Sequence, residues 1–260
     1  MDVRGRLLSA KEAYELTLAS WVLSKPSKFI HKSVVAQLDR LHNSFFLEST
    51  RQSEIVEIVN SLRLNTAAGH DKIPMWSVKE SINYISELLT YVLNLSINSG
   101  IVPAQMKFAR VVPLNKPGDK HLLPNYRPVS VLPVWKKAVY NRLIRFFDNY
   151  EILYNNQYGF RKKLSTSLAL LYLHDKITSA IDERKHTVGI FLDLSKAFDT
   201  FNHRILLDKL EHFGIRGLAL EWIKCYVYNR HQYVEVNGIS SSLHEISCCV
   251  PQGSVLGPLF

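Results

Sequence analysis

Apolar positions in the first hundred residues recur at helical spacing. In SEIVEIVNSLRL, Ile55, Ile58, Val59 and Leu62 stand at i, i+3, i+4 and i+7, which predicts a helix with one apolar stripe behind a Ser53 cap. SVKESINYISELLTYVLNLSINSG predicts a second helix that opens on a Ser77 and Glu80 capping box, turns Ile82, Ile85, Leu89, Val92 and Ile97 inward, and stops at Gly100. NTAAGHDKIP between them reads as a connector, because Gly and Pro punctuate it. The period changes at Phe108. ARVVPLNKPGDK and NYRPVSVLPV are short apolar runs broken by Pro, Gly, Asp and Asn, the composition of a hairpin from about Ala109 to Leu132. LSTSLALLYLHDKITSAIDER returns to helical spacing at Leu170, Leu173, Ile177 and Ile181, and leads into TVGIFLDL, which reads as a buried strand ending at Asp193. Two further helices are predicted, HRILLDKLEHFG with Leu206, Leu210 and Phe213 on one face and Gly214 as its stop, and LALEWIKCYV. Asn237-Gly238 between two strand-like runs is a strong hairpin signal. The class is α+β, with a helical N-terminal region and a sheet built from the strand ending at Asp193 and the hairpin at Asn237.

Composition changes this picture little, and charge changes it more. A chain of 260 residues, 47% of them hydrophobic, can bury a sizeable core and is not a disordered one. Its three cysteines, Cys225, Cys248 and Cys249, form no C-x-x-C and lack zinc-ligand spacing, so a reduced intracellular protein is expected. No stretch approaches the ~20 consecutive apolar residues that cross a bilayer. The start MDVRGRLLSAKEAYEL turns acidic too soon for a signal peptide, and no membrane partner is expected. The formal net charge is +9, and residues 101–165 alone carry 12 Lys and Arg against 3 Asp and Glu, a surplus equal to that of the whole chain. Such a segment is either a solvated face or a surface for phosphate, whether a nucleic-acid backbone or a triphosphate.

VGIFLDLSKAFDT sets a bare carboxylate, Asp193, at the tip of an apolar run. Asp in that place is either a helix cap or a ligand for a hard cation, since Mg²⁺ takes oxygen ligands and rigid backbone fixes their geometry. Phosphoryl transfer with two metals wants further carboxylates beside it, and cations against the phosphates.

Five segments, in order, resemble blocks of the reverse transcriptases encoded by non-LTR, LINE-type retrotransposons: LNTAAGHDKIP, NYRPVSVLPV, NNQYGFRKKLST, FLDLSKAFDTFNHRILLDKL and VPQGSVLGPLF. Together they cover roughly residues 55–260. The resemblance implies a right-hand polymerase fold, with residues 1–65 as an N-terminal helical extension, 66–185 as the fingers region and 186–260 as part of the palm. It implies an RNA-directed DNA polymerase that adds dNTPs to a DNA primer on an RNA template by Mg²⁺-dependent phosphoryl transfer, and a nuclear or cytoplasmic location.

By the same resemblance, Asp193 is the catalytic aspartate that ligates the metal ions, and the carbonyl of Leu194 is a further ligand. Phe198 matches the ring beneath the incoming sugar, where it would clash with a 2′-hydroxyl and favour dNTP over rNTP. Gln252 and Gly253 match the block that lines the nucleotide site opposite the templating base. Lys116 and Arg127, on the two arms of the basic hairpin, match the residues that hold the triphosphate, and Arg110 and Arg161 join them as nucleotide-binding candidates.

The sequence also departs from the family. Phe201-Asn202 stands where relatives commonly have Val-Asp, and Asn115 lies in a strand that is usually more apolar or basic. The family continues past VPQGSVLGPLF into a Tyr-X-Asp-Asp hairpin with the other catalytic carboxylates and then a thumb, neither of which falls within these 260 residues. The expectation is a fragment of the polymerase that is inactive alone; the alternative is a remnant that only binds nucleic acid through its basic fingers.

Overall fold

The structure is a computed structural model that describes residues 42–64, 68–115, 117–119, 122, 126–131, 136–192, 202–236, 238–246 and 256–259, with the backbone alone at 127–131 and 258. Described residues 147–192 belong to one compact unit, and described residues 42–146 with 202–259 to another.

The larger unit begins with α1 (Gln52–Ser61) and α2 (Met75–Ser99). Ile55, Ile58 and Val59 of α1 meet Ile82, Leu93 and Ile97 of α2 in one buried cluster that Ala138 completes. The predicted caps are not used. The first helix starts before Ser53, with Arg51 at its N-cap, and the second starts at Met75 behind Pro74, so Ser77 already lies in its first turn; neither N-cap makes a side-chain bond. Pro74 holds φ at −74°, a geometry suited to helix entry, and makes the Ser77 box redundant. The inward stripe of α2 is Ile82, Ser86, Leu93, Ser96 and Ile97, while Leu89 faces out. Gly100 ends the helix as predicted, with φ at +69°, a left-handed conformation that costs glycine no Cβ strain.

A helix that the periodicity reading missed, α3 (Lys136–Asn149), packs Ala138, Val139, Leu143, Phe146 and Phe147 inward. Arg142 ties it to α1. Its guanidinium donates to both carboxylate oxygens of Glu54, at 2.7 and 2.9 Å, and its Nε donates to the Glu48 carbonyl at 2.9 Å.

The sheet has the order β2-β1-β3-β4, with β5 also on β3; the strands are β1 (Phe108–Asn115), β2 (Tyr126–Val131), β3 (Arg230–Val236), β4 (Ile239–Ser240) and β5 (His244–Ile246). The basic hairpin forms as expected: β1 and β2 are antiparallel with Leu114 opposite Arg127. The later hairpin also forms, Val236 pairing with Ile239 across a two-residue turn in which Gly238 has φ +80°. Its neighbour differs from the expectation. β3 runs parallel to β1, from Phe108 opposite His231 to Val111 opposite Val234. The rings of His70, Phe108 and His231 lie in series, 5.4 and 5.7 Å apart, and fasten the connector before α2 onto this seam.

Residues 187–192 of the predicted strand TVGIFLDL carry neither helix nor ladder, and Val188, Ile190, Phe191 and Leu192 are exposed. An apolar run sets a preference for extended backbone but does not choose its partner. In the same unit α4 (Thr166–Asp182) forms where predicted, with Ser165 Oγ accepting from Leu168 N at 3.2 Å, and buries none of its residues.

α5 (His203–His212) and α6 (Gly217–Val227) complete the larger unit. Asn202, one of the departures from the family pattern, caps α5: its Oδ1 accepts from Arg204 N at 2.9 Å and Ile205 N at 3.3 Å, as an aspartate would. Trp222 of α6 is fully buried, stacks on Tyr226 with ring centroids 5.8 Å apart, and donates from Nε1 to Ser96 Oγ at 3.0 Å. Among the described residues no helix is long and apolar enough to cross a membrane.

Candidate nucleotide-binding site

The sequence nominates residues in four stretches, and the structure describes parts of two. Asp193, Leu194, Phe198, Gln252, Gly253 and Lys116 lie outside the described residues, and Arg127 is described by its backbone alone. Its place is opposite Leu114, and the next pair, Asn115 with Tyr126, brings the end of β1 that leads to Lys116 beside the start of β2 that carries Arg127. Hairpin pairing thus sets both arms of the basic segment at one end of the sheet.

Arg110 sits further back on β1, beside Tyr233 of β3, and its Nη1 lies 3.5 Å from Glu235 Oε1. Burial raises the Tyr233 hydroxyl above the ordinary tyrosine range, Glu235 adds to the rise, and Arg110 opposes it. This ion pair spans the parallel seam between β1 and β3. Arg161, in the other unit, donates from Nη1 to the Tyr154 carbonyl at 3.0 Å, closing the turn that leads into α4.

Sequence reading missed a cluster of buried cations. Lys136, the first residue of α3, is 1% exposed, and Arg230, the first residue of β3, is fully buried. Both lie over the ring of Tyr226, with Lys136 Nζ 5.0 Å and Arg230 Cζ 4.8 Å from its centroid, a shared cation-π contact. Arg230 Nη1 also donates to the Tyr226 carbonyl at 3.3 Å. Burial, and then the charge of Arg230, hold the Lys136 ammonium well below the ordinary lysine range. The signal was the Lys136-Lys137 pair at the start of an amphipathic run, read from sequence only as surface charge. With Arg110 and Arg142 in ion pairs, Lys136 inside, Lys137 over the Tyr140 ring and Arg161 on the Tyr154 carbonyl, at least five of the 12 cations in residues 101–165 are engaged by the protein itself.

Lys136 gives the fold a pH signature. Between its lowered folded value and about 10.4, its unfolded value, the unfolded chain binds more protons, so this group makes stability rise with pH by at most about 1.4 kcal/mol per unit. Denaturant melts from neutral pH to pH 10 should show the wild type gaining on Lys136→Met across that window. A constant difference would show that Lys136 titrates normally.

A family model described as reverse transcriptase (RNA-dependent DNA polymerase) matches residues 114–260, more than half of the chain, a range that holds Lys116, Arg127, Arg161, Asp193, Phe198, Gln252 and Gly253. The chain belongs to the reverse transcriptase family. Within it, the LINE-type kinship that the motifs suggested is supported by its relatives. The chain is 30% identical to a probable RNA-directed DNA polymerase from transposon BS of Drosophila melanogaster, over 84% of this chain and 25% of that protein. It is 28% identical to the RNA-directed DNA polymerase from mobile element jockey of the same fly, over 90% of this chain and 26% of that protein. For the probable RNA-directed DNA polymerase from transposon X-element the figures are 30%, 79% and 23%. The chain thus spans about a quarter of the length of these curated relatives. Reverse transcriptases work with divalent metal ions on a nucleic-acid template and primer. Among the described residues no group of three or more His, Cys, Asp or Glu could hold a metal ion.

Proposed function

We propose that this reverse transcriptase chain supplies the nucleotide-gripping part of an RNA-directed DNA polymerase that adds dNTPs to the 3′ end of a primer with Mg²⁺, residues 66–185 acting as fingers and 186–260 as part of the palm. The observation that carries the reading is the family match across residues 114–260, a range that includes Lys116, Arg127, Asp193, Phe198, Gln252 and Gly253. The donor set fits the ion: the Asp193 carboxylate and the Leu194 carbonyl are hard oxygen ligands, which suit Mg²⁺ better than softer metals. Bound there, the metal would activate the primer hydroxyl and share the charge of the phosphates.

The chain's own residues do the rest in this reading. Lys116 and Arg127 hold the triphosphate at the tip of the β1–β2 hairpin and offset the charge that grows on pyrophosphate as it leaves. Phe198 closes the sugar pocket to a 2′-hydroxyl, and Gln252 with Gly253 lines the base side of the nucleotide. Arg110 lies outside the matched range and is paired to Glu235, so we give it the positioning of the hairpin on β3. Arg161 orders the turn before α4 through the Tyr154 carbonyl.

Binding offers the direct test. The chain should hold a primer-template with an affinity that falls steeply as salt rises, each neutralised phosphate adding roughly 0.7–0.9 to the log-log slope. Replacing Lys116 and Arg127 together by Ala should weaken binding and flatten that slope by roughly 1.5. Fluorescence anisotropy across a salt series reads both. A slope that does not respond to salt, or to the double substitution, overturns the proposed interface.

A further inference from the structure

The 25-residue helix α2 has a second apolar face, and we propose that it is the interface of an antiparallel dimer of this chain. The inward face is spoken for by the cluster with α1 and α3. On the other side Tyr84, Leu88, Tyr91 and Leu95 are 89%, 63%, 64% and 56% exposed. Their spacing, four then three then four, is the alternation of core positions along a coiled-coil seam. An exposed helix face that needed only water would carry charge. The charged residues of α2 are Lys79, Glu80 and Glu87, all in its first half, and from Leu88 to Ser99 there is none.

That uneven charge selects the partner and its direction. A nucleic acid would gain nothing from an uncharged seam, whereas a second copy complements it. With the two-fold axis between Leu89 and Thr90, Tyr84 of one copy meets Leu95 of the other and Leu88 meets Tyr91, so every layer sets one ring against one leucine. Each copy's Lys79, Glu80 and Glu87 then face the uncharged half of the other. A parallel pair would instead stack Tyr84 on Tyr84 and bring Glu87 towards Glu87. Antiparallel alignment also opposes the two helix dipoles favourably. The contact is isologous and therefore closed, which suits a dimer rather than a filament. The four side chains offer on the order of 500 Å² per copy, about 1,000 Å² in all, the lower bound of a specific interface, so the dimer is weak, with a dissociation constant of the order of 10 µM.

This inference is independent of the polymerase reading, and its test does not use activity. Sedimentation equilibrium from well below to well above that constant should show a monomer-dimer equilibrium. Leu88→Glu and Tyr91→Glu should each weaken it at least tenfold with unchanged circular dichroism and, at concentrations where the wild type is monomeric, an unchanged melting temperature, while Asn83→Ala leaves it unaltered. In a background with the native cysteines replaced by Ser, Tyr84→Cys with Leu95→Cys should cross-link under mild oxidation faster than Tyr84→Cys alone. A chain that stays monomeric, a dimer indifferent to Leu88→Glu, or faster cross-linking by Tyr84→Cys alone overturns the proposal. So does a monomer destabilised by Leu88→Glu, which would place another segment of the same chain on the seam.

Discussion

Asn in place of Asp193 is expected to abolish primer extension. The change is nearly isosteric and removes one charge, so it separates metal binding from packing. In a two-metal reaction the attacking and leaving oxygens are both clamped by ions that the carboxylates hold in place. Misplacing reacting groups by about 1 Å already loses on the order of a hundredfold in rate, and losing a ligand should lose more. On the proposed reading Asp193 is the one catalytic carboxylate of the family within these 260 residues, so the polypeptide alone should not incorporate dNTPs above background. The assay therefore uses this chain joined to the Tyr-X-Asp-Asp hairpin and thumb of a relative, with an RNA template, a DNA primer, Mg²⁺ and dNTPs. The joined protein should extend the primer, and its Asp193→Asn form should not. A joined protein indifferent to that substitution would remove Asp193 from the metal site, and incorporation by the 260-residue polypeptide would send the search for ligands elsewhere.

Ala in place of Trp222 should cost about 3–5 kcal/mol, a large part of the stability of a domain this size. The indole is fully buried and stacks on Tyr226, the ring that carries Lys136 and Arg230. Its Nε1 donates to Ser96 Oγ, which in turn donates to the Ile101 carbonyl just past α2. Truncation opens a cavity, loses the stack and loosens the one described ring shared by two buried cations. Trp222→Phe keeps most of the volume and leaves the Ser96 bond to Ile101, so it should cost about 1–2 kcal/mol. Urea melts of the three proteins would order them, and an Ala variant as stable as the Phe variant would show that the stack contributes little.

The family was legible because motifs depend on order along the chain: the match over residues 114–260 takes in the blocks that carry Asp193, Phe198, Gln252 and Gly253. The Lys136, Tyr226 and Arg230 cluster was not legible, because its members come from α3, α6 and β3 and each looks ordinary in its own segment. Arg110 shows the same limit: its charge suggested phosphate, and only the pairing of β1 with β3 puts Glu235 within reach. Helix α3 escaped notice because the Pro and Asn before it read as hairpin and its basic residues masked the stripe at Ala138, Val139, Leu143 and Phe146.

By itself the sequence determined the features that obey nearest-neighbour physics: the stripes of α1 and α5, the left-handed stop at Gly100, the turn ending at Gly238 and the family membership carried by its motifs. Tertiary structure alone decided which edges met. The apolar run at 187–192 had strand composition and carries no ladder, while within the larger unit β1 took as its parallel neighbour β3, a strand far along the chain. Backbone donors and acceptors are alike in every strand, so a local sequence can favour extended chain without naming its neighbour. That choice is made by the packing of residues far apart in the chain, and the same packing put Lys136 inside while leaving Tyr84, Leu88, Tyr91 and Leu95 facing outward.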